Sequence, residues 1–180
     1  METNLKKFKK LAPIKENENW EFRRFLKNSD LSSRKIDSIV HKLYREISSK
    51  IDCKTCANCC KEMQPVLDEE DIEKLSRGLK VEAVQFEEQY LINNEDQASG
   101  KFMFKQKPCP FLVNNSCLCY SYRPKDCKSF PHLYKPDFVS RLINVMENYA
   151  VCPIVFHVYE ELKNEIWRRR RIFSTMRLHK

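Results

Sequence analysis

Four cysteines crowd into one short stretch of this chain, Cys53, Cys56, Cys59 and Cys60, in the pattern C-x2-C-x2-C-C, and five more follow at 109, 117, 119, 127 and 152. Two-residue gaps let successive thiolates turn back toward one centre while the intervening amides point at the sulfurs, which is why this spacing recurs at zinc and iron–sulfur sites. The first twenty residues are rich in Lys and Glu, with no continuous apolar segment and no small-residue cleavage site, so no export signal is expected. A cytoplasmic location follows as the expectation, and in a reducing compartment closely spaced cysteines serve as metal ligands or redox thiols more often than as disulfides.

The distant cysteines sharpen the metal reading. A C-x2-C-x2-C run completed by a remote cysteine followed by proline is how ferredoxins hold a four-iron cluster, and two such remote pairs are present, Cys109-Pro110 and Cys152-Pro153. Adjacent side chains in a loop diverge, so Cys59 and Cys60 are expected to serve two sites or one polynuclear site. Eight cysteines, Cys53, Cys56, Cys59, Cys60, Cys109, Cys117, Cys127 and Cys152, divide evenly into two four-thiolate sites. Cys119 lies one residue beyond Cys117, a gap that sends side chains in opposite directions in extended chain, and is expected to be a buried apolar thiol. His132 could line a site just past Cys127, although surface or packing roles are the commoner use of such a histidine. An iron–sulfur cluster, four-iron before two-iron, and zinc as the alternative all accept four thiolates.

Composition removes other possibilities. The chain has 180 residues but only two glycines, Gly78 and Gly100, so glycine-rich phosphate loops and dinucleotide fingerprints are absent. No apolar run approaches the roughly 18 residues a membrane span needs. The net charge of +8 is unevenly placed. Residues 1–52 hold 13 Lys and Arg against 8 acids, residues 53–162 hold 13 against 16, and residues 163–180 hold 7 against 1. Contact with an anionic partner, nucleic acid or an acidic protein, would therefore fall to the ends, where Lys6, Lys7, Lys9, Lys10 and Arg168–Arg171 stand. No interleaved aromatic platform or reading helix accompanies them.

The pattern predicts a mainly α fold with short strands and long metal-ordered loops, a single small cysteine-cluster domain. It is expected over 30–162, between a basic N-terminal arm at 1–29, with one helical stretch near Trp20–Leu26, and a basic C-terminal helix end and tail at 163–180. Ile36, Ile39, Val40, Leu43, Tyr44, Ile47 and Ile51 form one helical stripe leading to Cys53. The stretch Asp52–Lys61 has no apolar period and reads as a loop. Asp68–Asp71 open a helix that Gly78 is expected to stop, a second runs from about Val81 to Leu91, and a polar turn covers Asn93–Gly100. Phe102–Phe104 and Phe138–Val145 read as strands, and residues 105–136, with five prolines, as loop. Pro153 opens a final helix.

The ordered set Cys53-x2-Cys56-x2-Cys59-Cys60, Leu67 through Asp71-Ile72, Cys109-Pro110-Phe111-Leu112, Cys117-x2-Tyr120, Arg123-Pro124-x2-Cys127-Lys128-x-Phe130-Pro131 and Cys152-Pro153 resembles the CxxCxxCC cysteine-cluster proteins. These YkgJ-type proteins are described as zinc- or iron-chelating, and the flagellin lysine N-methylase of some enteric bacteria looks like a relative with an associated iron–sulfur cluster. The resemblance implies a metal site over about 53–155. The family commonly has Gly after the second cysteine and after the last Cys-Pro, where this chain has Ala57 and Ile154, and an aliphatic residue where Cys119 stands.

Beside the cysteines, a guanidinium at Arg123 would offset thiolate charge and donate to sulfur, or else pair with Asp126. The helix dipole alone explains an acid at Asp71. Tyr120, Tyr122, Phe130 and Phe111 suit an apolar shell and ordinary packing equally. The leading function is metal binding through the eight thiolates. An iron–sulfur-dependent protein lysine N-methyltransferase-like enzyme, acting on a protein substrate, and a zinc-stabilised module binding nucleic acid or an acidic protein are the alternatives.

Overall fold

A computed structural model describes residues 1–93 and 101–168, and the chain is mainly α. In order the elements are α1 (Leu5–Ile14), α2 (Glu16–Lys27), α3 (Ser33–Ser48), α4 (Cys53–Cys56), α5 (Asn58–Glu62), α6 (Glu69–Leu79), α7 (Ala83–Tyr90), β1 (Leu91–Asn93), β2 (Phe102–Phe104), β3 (Leu112–Val113), β4 (Ser116–Cys117), α8 (Lys125–Ser129), α9 (Leu142–Tyr149) and α10 (Pro153–Leu162). Short 3-10 turns cover Tyr120–Tyr122 and Phe138–Arg141, and a π-helix over Lys163–Arg168 follows α10. The expected polar turn, from residue 94 on, and the basic end from residue 169 lie outside the described residues. No described helix is long and apolar enough to cross a membrane. Two compact units form, Met1–Asp52 with Pro131–Lys180, and Cys53–Phe130.

The first unit is organised by α10. Ile154, Val155, Phe156, Val158, Tyr159 and Leu162 are all buried, so this helix is apolar nearly all round and serves as a core element. Pro153 occupies its first turn, where a missing N–H costs nothing. Against α10 pack α3, through Ile36, Val40, Leu43 and Ile47, and α9. Ser32 caps α3 by accepting the Lys35 N–H.

The N-terminal segment departs from the expected arm by forming two helices. Phe8 meets the Phe156 ring at 4.8 Å, and Phe22 meets Tyr159 edge-on at 5.2 Å. Tertiary burial of Phe8 on α1 and of Phe22 and Leu26 on α2 holds helices whose own periodicity is weak. Phe138–Val145 is likewise helical and not a strand. The buried carboxylate of Asp37 accepts the N–H groups of Asp137 and Phe138, both at 2.9 Å, and so caps the turn that starts there. Phe138, Leu142, Val145 and Tyr149 then bury one helical face.

The second unit has a core of Leu67, Ile72, Leu75, Phe86, Leu91, Phe104, Phe111 and Cys119. Strands β1 and β2 pair antiparallel, with Leu91 opposite Phe104. A second, tighter hairpin joins β3 to β4 with Leu112 opposite Cys117. Its turn residues, Asn114 and Asn115, both have positive φ, 49° and 61°, which asparagine tolerates better than other side-chain-bearing residues. The stretch expected as loop around Cys53–Lys61 contains α4 and α5, single turns too short to show an apolar period.

Helix α6 begins as expected, with the Asp68 carboxylate accepting the Asp71 N–H at 2.9 Å. Gly78 does not end it. The left-handed stop is Lys80, φ 60°, while Gly78 lies inside the helix because the Tyr122 ring occupies the space a Cβ would need. Gly78→Ala is therefore expected to destabilise the fold by roughly 1–3 kcal/mol through overpacking, against the gain of up to ~1 kcal/mol that alanine brings to an open helix position. Chemical denaturation of the variant checks the sign.

Candidate metal centre

Of the eight candidate ligands, seven lie in the Cys53–Phe130 unit, and Cys152 lies in the other, buried at the N-cap of α10. Cys53 and Cys56 are the two ends of α4, with Cys53 exposed. Cys59 and Cys60 sit on α5, Cys117 on β4 and Cys127 on α8. The Cys109 N–H donates to the Cys60 carbonyl at 2.8 Å and ties the 109 segment to the first cluster, while α4 packs beside β4.

Ala57 joins α4 to α5 in the left-handed conformation, φ 51°. A Cβ there is strained by roughly 1–2 kcal/mol relative to glycine, which supplies the physical reason for glycine at this position of the CxxCxxCC pattern. Lys61 N–H nevertheless reaches the Ala57 carbonyl at 3.2 Å, so the first turn of α5, which carries Cys59 and Cys60, forms. Ala57→Gly should stabilise the protein by about 1 kcal/mol, read as a rise in melting temperature of a few degrees.

The sulfurs meet in pairs. Cys59 Sγ lies 4.0 Å from Cys60 Sγ, and Cys117 Sγ lies 3.6 Å from Cys119 Sγ. Thiolates sharing one tetrahedral zinc, with bonds near 2.3 Å, stand roughly 3.8 Å apart, so each pair is close to ligand spacing. Among the described residues no three Cys, His, Asp or Glu side chains converge closely enough to hold one metal ion. The donor chemistry fits a thiophilic metal; the spacing is met two sulfurs at a time.

Electrostatics links the pairs. The Cys59 hydrogen bond draws the Cys60 thiol down to about 7, with Arg123 assisting. A hydrogen bond from Cys119 draws Cys117 down to about 6, again with help from Arg123. Burial pushes Cys109 up to about 11 and raises Cys127 as well, and the charges of Cys60 and Cys117 add to both shifts. Cys119 is raised by the hydrogen bond to Cys117 and by burial. It packs in the apolar core, 2% exposed, yet turns its sulfur toward Cys117.

Two carboxylates steady the scaffold. Asp71, buried, accepts the Lys125 N–H at 2.9 Å and so caps the helix that carries Cys127. Asp126 accepts the Val66 N–H at 3.3 Å. The dipole reading of Asp71 missed this second contact, because its partner is 54 residues away. The Arg123 guanidinium stacks 3.8 Å from the centre of the Tyr120 ring, and the Lys54 ammonium lies 4.8 Å from the same ring. Phe111 packs among Phe86, Tyr90 and Phe104, and Tyr122 against Gly78. His132 belongs to the other unit, where its carbonyl accepts from Arg141.

A mainly α fold with a thiol cluster defines the class of cysteine-rich metal-chelating proteins. The chain belongs to the CxxCxxCC family, whose profile matches residues 52–153 and is described as "putative zinc- or iron-chelating domain". No curated protein and no solved structure matches it significantly.

Thiolates, not thiols, react with alkylating agents. In metal-free protein at pH 7, iodoacetamide should therefore label Cys117 and Cys60 before Cys109, Cys119 and Cys127. Both depressed thiols lose their anionic form as pH falls through their folded values, Cys60 first near 7 and Cys117 near 6. Between those values Cys117 should remain the faster of the two, as mass mapping of labelled peptides would show.

Proposed function

We propose that this protein binds iron as an iron–sulfur cluster, four-iron in preference to two-iron, with zinc as the alternative metal. Its ligands are drawn from Cys53, Cys56, Cys59, Cys60, Cys109, Cys117, Cys127 and Cys152. The observation that carries the reading is the gathering of Cys60, Cys109, Cys117 and Cys127 from four separate segments, so that the charge of Cys117 reaches Cys60, Cys109 and Cys127 and that of Cys60 reaches Cys109 and Cys127. Buried like charges repel, and a soft cation removes that repulsion while favouring thiolate over carboxylate donors. The C-x2-C-x2-C run and the Cys-Pro pairs favour iron over zinc. When bound, the cluster supplies electron transfer or a structural cross-link.

The chain's own residues prepare the site. Cys59 and Cys119 donate to their neighbours and favour the thiolate forms of Cys60 and Cys117. Asp71 fixes the helix of Cys127, and the Cys109 N–H holds that cysteine's segment to α5. Because the sulfurs stand in pairs, metal binding is expected to draw the loops tighter and to add to fold stability.

Protein purified without oxygen is expected to be brown, with charge-transfer absorption and iron matched by acid-labile sulfide. A colourless preparation with stoichiometric zinc and no sulfide would overturn the iron reading. Serine in place of any of the eight cysteines, each tested singly and Cys152 included, should lower metal content and solubility together. Cys119→Ser should keep its metal. Loss of metal in Cys119→Ser as complete as in Cys56→Ser would show that the ligand set is different.

A further inference from the structure

Cys119 is the one cysteine outside the proposed ligand set, yet its sulfur meets another. Its Sγ stands 3.6 Å from that of Cys117, where a disulfide needs about 2.05 Å. Closing the pair asks for a shift of roughly 1.5 Å shared between two side chains. Leu118, between them, is 61% exposed, so the middle residue faces solvent while the two cysteines turn toward each other on the inner side. The backbone around them is held, with the Leu118 N–H donating to the Phe111 carbonyl and the Tyr122 N–H to the Cys119 carbonyl, each at 3.0 Å. Cys119 is closed in by a core that includes Leu67, Ile72, Leu75 and Phe111, whereas Cys117 is half-buried. A small oxidant therefore meets Cys117 first.

Backbone spacing separates this pair from the other close one. Cys59 and Cys60 are joined by a trans peptide, which sets their Cα atoms about 3.8 Å apart, short of the roughly 4.4–6.8 Å that a disulfide spans. Two steps of chain reach at most roughly 7 Å when fully extended, and the turn at Leu118 and Cys119 shortens them toward the disulfide range.

We propose that Cys117 and Cys119 form a peroxide-sensitive thiol pair, in which oxidation joins the two sulfurs and withdraws Cys117 from the metal. The withdrawal rests on the reading of Cys117 as a ligand. Cys117, as thiolate, attacks one oxygen of hydrogen peroxide. The O–O bond breaks, hydroxide leaves and takes up the proton that the thiol gave to solvent, and a sulfenic acid remains on Cys117. The Cys119 sulfur then attacks Cys117 Sγ, the S–O bond breaks, and the Cys119 proton departs with the hydroxyl as a second water. The two thiols lose two electrons and the peroxide gains them. Because the thiolate is the metal-binding form of cysteine, the joined sulfur no longer serves as a ligand. A thiol reductant reverses the step by exchange.

The test treats metal-free, fully reduced full-length protein with one equivalent of hydrogen peroxide, removes the excess with catalase and blocks remaining thiols in acid. Tryptic peptide 106–125 carries Cys109, Cys117 and Cys119, and its fragment ions show which two are joined. Cys117–Cys119 is expected as the first and main linkage. In Cys119→Ala the sulfenic acid has no resolving partner, so dimedone should label Cys117 there and leave wild type largely unlabelled. The oxidised wild type is then titrated with cobalt(II), whose charge-transfer band reports on bound thiolates. Its affinity should fall by at least the roughly 10- to 100-fold that losing an outer partner of a ligand costs, and reduction should restore it.

A first linkage between any other two cysteines, Cys53–Cys56 and Cys109–Cys119 included, overturns the proposal, as does a Cys117–Cys119 linkage that leaves cobalt binding unchanged. Equal dimedone labelling of Cys117 in wild type and Cys119→Ala also overturns it. If Cys119→Ala fails to fold, the wild-type map and cobalt titration decide alone. Reduced wild type without a charge-transfer band overturns the ligand reading, and the switch falls with it. A normal band in reduced protein beside a different first linkage removes only the switch.

Discussion

Thiols of like charge held near one another in a half-buried setting govern the second unit. Cys60 and Cys117 are drawn toward ionisation while Cys109, Cys119 and Cys127 are driven away from it. The division is physical: once two sulfurs carry charge, each further charge must be made against theirs and against burial. Neighbouring protons settle which two, since Cys59 and Cys119 are the hydrogen-bond partners of Cys60 and Cys117.

Keeping the sulfurs near each other requires restraint from elements with no chemistry of their own. Asp71 and Asp126 reach backbone N–H groups far along the chain and fasten the segment around Cys127. The Asn114–Asn115 turn sets the register that places Cys117 opposite Leu112. Tyr122 fits against α6 only because residue 78 has no side chain. One of the chain's two glycines is thus used for close packing, and among the described residues of this unit the left-handed positions fall to Ala57, Lys80, Asn114 and Asn115 instead.

The first unit solves a different problem. Helix α10 is buried on nearly every side, so the polar residues at its end need partners. Lys163, with a side chain fully buried, is met by Glu160 at 2.6 Å and lies over the rings of Tyr149 and Tyr159. Glu160 also accepts from Lys15 at 2.7 Å and from the Tyr149 hydroxyl at 2.8 Å. Satisfied in this way, a charge network can sit in a core that would otherwise reject it.

Much of this was legible in the sequence for reasons of local physics. Helices α3, α6, α7 and α10 announce themselves by apolar period, by an acidic or proline start and by caps, all of which act within a few residues. Spacing and order of the cysteines marked the chain as a metal chelator, because two-residue gaps constrain geometry locally. What local signals could not carry, the tertiary structure decided. Helices α1 and α2 exist because Phe8 and Phe22 find ring partners more than a hundred residues away, and Phe138–Tyr149 is helical because Asp37 caps its first turn. Gly78 reads as a helix stop until Tyr122 is placed against it. Cys119 reads as a core thiol, and is one, but its closeness to Cys117 depends on the bend between β4 and the following 3-10 turn. Sequence spacing fixes how near two residues can be along the chain; only packing determines which way a sulfur, a carboxylate or a guanidinium faces.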